Sequence, residues 1–183
     1  MHRMLVRTKT SSGYVVLRGI FVNHKPLTSL RLYSVLSFFL RIVEVVCKDM
    51  ELSTLCAALT DSSKNKDVNK WLTNPKKRHT VFAPTDAAFA ALPKNYDANL
   101  KFHIAKGRAS FARDLSCVAG NNLVTMSNGK DTRTKCKEEV PYIQQGKGNT
   151  EMDLYPEFIE SDIIACNGLI HKISNVMLLN PKN

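Results

Sequence analysis

Few folds accommodate the run Thr80-Val81-Phe82-Ala83-Pro84-Thr85-Asp86-Ala87-Ala88-Phe89-Ala90-Ala91-Leu92-Pro93. Val81 and Ala83 alternate with Thr80 and Phe82, which is strand spacing. Pro84 lacks an N–H and biases Ala83 away from helix, so the strand ends there. Thr85 then stands where a helix N-cap belongs, and Asp86 places negative charge at the positive end of the helix dipole. Ala87 to Leu92 are mostly strong helix formers, and Pro93 closes the helix. The segment is therefore a buried strand, a sharp turn and a capped helix, with Phe89 and Leu92 as core residues.

Two further stretches stand out. Asn167-Gly168-Leu169-Ile170-His171-Lys172-Ile173 runs on to Val176-Met177-Leu178-Leu179, and Leu100-Lys101-Phe102-His103-Ile104 lies between it and the first run. In this order the three stretches resemble the first signature, the Tyr-His stretch and the second signature of the fasciclin-type domain, with Phe102 in place of Tyr. Ile42 to Cys47 resembles the opening of such a domain. The resemblance covers residues 42–181. It implies an α+β fold in which an antiparallel β-sheet assembly, a sandwich or wedge, packs against several α-helices. It also implies a non-enzymatic extracellular module for cell adhesion or matrix binding, with structural roles for Thr80, Thr85, Asp86, Asn167, Gly168 and His171. By the same resemblance, Phe102 and His103 form the candidate adhesion surface. One departure is the connection Lys94–Asn99, which is shorter than the helical link usual in that family.

Of 183 residues, 44% are hydrophobic and 23% charged, a globular balance. The net charge of +10 points at first to nucleic acid or an anionic membrane. However, residues 1–43 hold seven of the Lys/Arg and no acid, which leaves nineteen basic against sixteen acidic residues, or +3, for the remainder. That is a weak case for a phosphate-backbone partner, so no nucleic acid is expected.

Residues 1–41 form a basic and then apolar extension, in which Leu32 to Leu40 follow Arg31. The order is that of a signal peptide, and the apolar run is too short to span a bilayer. No small-x-small cleavage site follows. A cleaved signal, a signal-anchor, an organelle transit segment and an incorrectly assigned start all fit. An alternative function, association with polyanions or membranes, would act through this extension. No second apolar span follows Leu179, so no C-terminal anchor is expected. There is no Asn-x-Ser/Thr site for N-glycosylation.

Along the rest of the chain, Leu52, Leu55, Cys56 and Leu59 mark one apolar helix face. Val68 to Leu72 suit a short helical turn with Trp71 inward. Asn74 to His79 form a basic turn that suits an anionic polysaccharide or lipid headgroup, although most such runs are solvated loops. Leu100, Phe102 and Ile104 alternate with Lys101 and His103, the pattern of a half-buried strand. Asn128-Gly129 is a hairpin signal between strands at Asn122–Met126 and Thr132–Cys136. Val140–Gln144 and Asp162–Cys166 suit further strands, Gly146 to Asn149 a flexible loop, and Leu169–Ile173 a strand antiparallel to the one before it.

The cysteines are Cys47, Cys56, Cys117, Cys136 and Cys166, with no Cys-x-x-Cys and no finger-like His spacing, so no metal or other cofactor is expected. In an oxidising compartment, and with the Asn128-Gly129 hairpin folded back over the Cys117 turn, Cys117 and Cys136 are the best-placed pair. The odd thiol would stay free or link two copies. Five buried thiols are the alternative in a reducing compartment. His103 and His171 would be the first choices for a general base, yet no spacing ties Asp86, Asp114 or Asp162 to either. No Gly-x-Ser-x-Gly or His-Glu-x-x-His is present. No enzyme activity is therefore expected. The expected partner is a cell-surface or matrix protein or polysaccharide, and the expected location is extracellular.

Overall fold

The computed structural model describes residues 5–10, 13–18, 40–61 and 63–179. The chain divides into two units, residues 1–33 and 34–183. In the first unit, β1 (Leu5–Thr10) pairs antiparallel with β2 (Gly13–Arg18), from Leu5↔Arg18 to Thr10↔Gly13. Of the apolar run Leu32–Leu40, on which the targeting reading rests, residues 32–39 lie outside the described residues. No helix among those described is long and apolar enough to cross a membrane.

Among the described residues, the second unit opens with three short α-helices: α1 (Ile42–Val46), α2 (Ser53–Thr60) and α3 (Lys66–Leu72). Then follow β3 (His79–Pro84), α4 (Asp86–Ala90), a 3₁₀ turn at Leu100–His103 and β4 (Ile104–Lys106). The second half supplies β5 (Leu123–Thr125), β6 (Asp131–Lys137), β7 (Val140–Gln145), β8 (Phe158–Ala165) and β9 (Gly168–Ile173). One sheet has the order β4-β3-β9-β8 and the other β5-β6-β7. All pairings are antiparallel except β3 with β9, which run parallel from His79↔Gly168 to Pro84↔Ile173. The architecture is thus an α+β assembly of largely antiparallel sheets and helices, with one parallel pair at its centre.

Strand alternation explains the layering. Val81 and Ala83 of β3 point into a cluster with Ile42, Leu55, Leu72 and Ile170. Phe82 points the other way, into a cluster with Phe102, Met126, Ile173 and Met177. All six residues of β3 are buried, as are all six of β9, so the central pair has core on both faces. Gly129, at φ +77°, supplies the left-handed turn residue between β5 and β6. At Gly168 an added Cβ would collide with the His79 carbonyl, so only glycine lets β9 start against β3.

Several local expectations change. Leu100–His103 is a 3₁₀ turn and not a strand, because Leu100, Phe102 and His103 are all buried at once, which strict alternation forbids. Trp71 is half-buried and packs against the core cluster around Ile42 and Leu72. The Gly146–Asn149 loop is pinned: buried Asn149 accepts from the amides of Gly146 (3.1 Å) and Leu178 (2.8 Å) and donates to the carbonyls of Leu154 (2.7 Å) and Val176 (3.0 Å).

Cys117 and Cys136 are disulfide-bonded, with Cα atoms 5.6 Å apart, and Cys47 is bonded to Cys56 at 4.9 Å. Cys166 is free and half-buried.

Candidate functional site

The signature residues converge on the β3–β9 pair. Thr85 caps α4 by accepting from the Ala88 amide at 3.3 Å. The neighbouring carboxylate goes elsewhere. Asp86 accepts from the Ser53 hydroxyl (2.6 Å) and amide (3.3 Å) and from the Thr54 amide (2.7 Å), so it caps the start of α2 instead of its own helix. The Ser53 hydroxyl foremost, and then the Thr54 amide, hold its carboxyl below the usual aspartate range.

Asn167 is fully buried in the turn before β9. Its side-chain oxygen accepts from the Ile42 amide at 2.8 Å, and its NH₂ donates to the carbonyls of Leu72 (2.7 Å) and Asn74 (3.3 Å). One amide group thereby ties the start of α1 and the end of α3 to the central sheet.

His171 is buried between Phe82 and Phe158, with ring centroids 5.5 and 5.6 Å away. Its Nδ1 accepts from the Asp162 amide at 3.2 Å, which assigns the proton to Nε2, 3.0 Å from the Ser110 carbonyl. The Ser110 amide donates to Thr80 Oγ1 (2.9 Å), which donates to the Arg108 carbonyl (3.1 Å). Thr80 and His171 therefore anchor the loop between β4 and the Ala112–Asp114 turn. The Asp162 carboxylate lies 3.8 Å from Nδ1, but it accepts from the Ala112 amide at 2.7 Å. A hydrolase base needs the opposite arrangement, with Nδ1–H held by the carboxylate and Nε2 open to a nucleophile. Here Nε2 is already committed to a backbone carbonyl.

The adhesion surface expected at Phe102 and His103 requires correction. Phe102 is 0% and His103 1% exposed, so neither side chain forms surface in the folded domain. The 3₁₀ turn swings both into the core. His103 Nδ1 is 3.0 Å from the Asn99 carbonyl, and Nε2 accepts from the Met177 amide at 2.9 Å. Burial pushes its pKa down to about 4, against a smaller opposing effect of the Asn99 hydrogen bond.

Lys172, which the sequence reading passed over, is the main charged centre. It is buried on β9, and its Nζ lies 2.6 Å from Asp49, 3.0 Å from Glu51 and 3.1 Å from Glu160. Burial opposes the charge, but hydrogen bonds to the three carboxylates outweigh it and raise the pKa. Its signal was available: a lysine in a strand buried on both faces needs counter-charges. Because the carboxylates are partly exposed, Lys172→Met is expected to cost only about 1–2 kcal/mol at neutral pH. A urea melt checks this, and the loss should shrink in high salt. With its pKa raised, Lys172 contributes fully below its unfolded value of 10.5 as long as its three carboxylates are ionised, and on the alkaline side the contribution fades only above that value.

Among the described residues no group of three or more His, Cys, Asp or Glu could hold a metal ion.

The profile of the fasciclin domain matches residues 50–179. Among solved structures, the chain is similar to a FAS1 domain pair from the insect cell adhesion molecule fasciclin I, with TM-score 0.57 and 16% identity over 75% of this chain and 50% of that one. The chain thus spans about half the length of that structure, and at this identity the likeness speaks for the fold. The family match covers well over half of the sequence: the chain belongs to the fasciclin domain family.

Proposed function

We propose that this protein is a non-enzymatic extracellular interaction module that serves cell adhesion or matrix binding. Its membership of a family of adhesion and interaction domains carries the reading. Two disulfides support it, since such bonds persist in oxidising compartments. The two histidines best suited to catalysis have their ring nitrogens engaged by backbone groups, which favours recognition by an outer surface over chemistry in a cleft. The partner is a cell-surface or matrix protein or polysaccharide. Cys166 is the thiol through which two copies would be disulfide-linked, and it must become more exposed to do so.

The test is attachment of cells to surfaces coated with the full chain. Saturable attachment, lost after reduction of the disulfides and unchanged when the basic residues of 1–41 are replaced by glutamine, is the expected result. Attachment no better than to denatured protein would reject the reading. Attachment lost only in the glutamine variant would transfer the function to the N-terminal extension.

A further inference from the structure

Trp71 lies at the edge of the helical layer, with Lys106 Nζ 3.1 Å and Lys101 Nζ 5.6 Å from its ring centroid. The β3–β4 pairing sets His79 opposite Lys106, and the Gly107 amide donates to the Arg78 carbonyl at 2.9 Å. Two chain segments, Lys76-Lys77-Arg78 and Lys106-Gly107-Arg108, therefore run side by side with every cation exposed. His79 lies buried between them and feels both Lys106 and Lys77; burial foremost, with smaller help from these two charges, lowers its pKa against an opposing backbone hydrogen bond of Trp71. Asp67 approaches Lys101 at 3.9 Å and is largely exposed. Residues 44–183 carry only +3 in total, so this face concentrates positive charge on a nearly balanced domain.

We infer that the face formed by Lys76, Lys77, Arg78, Lys101, Lys106 and Arg108 around Trp71 binds a sulfated polysaccharide. The inference rests on the extracellular reading and gives that reading a partner chemistry. The charges come from separate segments and spread over an exposed surface. They suit repeated sulfates on a flexible chain. The Trp71 ring is capped by an ammonium group and not presented for insertion, which argues against a lipid bilayer. Neutralising sulfates releases their counterions, so affinity should fall steeply with salt. By analogy with single-stranded nucleic acids, about five neutralised sulfates give roughly a 50-fold loss for a threefold rise in salt.

The experiment measures binding of the full chain to immobilised heparin at two salt concentrations. It compares the triple variant Lys76→Gln, Lys77→Gln, Arg108→Gln with the control triple Lys130→Gln, Lys137→Gln, Lys147→Gln. All six positions are exposed, and both variants should melt like the parent. The expected result is a more than tenfold weakening in the first triple and little change in the second. Equal weakening in both would reduce the effect to net charge and overturn the inference, as would unchanged binding in the first triple. Tighter binding to phosphatidylserine vesicles than to heparin would also overturn it, in favour of a membrane surface. Cell attachment separates the two readings. If the first triple still supports attachment to heparinase-treated cells but heparin binding does not map to this face, the inference fails and adhesion stands. If heparin binding maps here and no cells attach, adhesion fails and the inference stands.

Discussion

Replacing Asn167 by alanine is expected to cost about 3–4 kcal/mol of folding stability, because buried donors and acceptors left without partners cost about 1–3 kcal/mol each. The side chain is fully buried and serves the Ile42 amide, the Leu72 carbonyl and the Asn74 carbonyl. Alanine fills none of these roles and leaves too little room for water to replace them. Asn167→Asp separates the two halves of the argument. Aspartate keeps the acceptor for Ile42 but cannot donate to Leu72, and it adds a buried charge, so at neutral pH it should be at least as damaging as alanine. Urea melts measure both, with the midpoint falling and the slope unchanged. A loss below about 1 kcal/mol for alanine would mean that the three segments are held by apolar packing alone. Gly168→Ala acts next door by a different cause: its new methyl would meet the His79 carbonyl and push the parallel strands apart.

Much of this corner was legible because its rules are local. Pro84 ends β3, Thr85 caps α4, and Gly129 turns the hairpin that brings Cys136 over Cys117. What was not legible depends on groups distant in sequence. Asp86 reads as the cap of its own helix, yet its carboxylate serves Ser53 and Thr54, which come close only after α2 and α4 pack. Leu100 to Ile104 has the alternation of a strand, but the residues between Phe82 and Met177 must all turn inward, and a 3₁₀ turn achieves that where a strand cannot. Asn149 sits in a glycine-rich loop of the kind that composition marks as flexible, and four hydrogen bonds to three segments make it rigid. The Cys47–Cys56 bridge joins the end of α1 to the middle of α2 over a spacing that carries no motif. The charges around Trp71 looked like an ordinary basic turn until the β3–β4 pairing doubled them.

Acidification from pH 6.5 to about 4 is expected to remove about 3 kcal/mol of stability through His103 alone, since one pKa unit corresponds to about 1.4 kcal/mol. The ring is buried and neutral, with Nδ1–H given to the Asn99 carbonyl and Nε2 accepting from the Met177 amide. A proton added at Nε2 would face that amide N–H and destroy the bond. The folded-state pKa of about 4 lies below the ordinary value of 6.5, so the unfolded chain binds the proton first. Stability is therefore complete above pH 6.5 and drains away as the pH falls toward 4. His171 adds to the loss in the same direction, because burial lowers its pKa against the opposing pulls of Ser110 and Asp162. Asp86, lowered from 3.8, keeps its contribution throughout this window and loses it only at more acid pH. Urea melts at pH 7.5 and 4.5 on the parent and on His103→Gln check the assignment. The variant should be weaker at pH 7.5, yet its stability should vary with pH by about 2.5 kcal/mol less than that of the parent. If the pH dependence is the same in both, His103 does not stay neutral in the folded domain, and the core between Phe82 and Met177 must admit water to the ring.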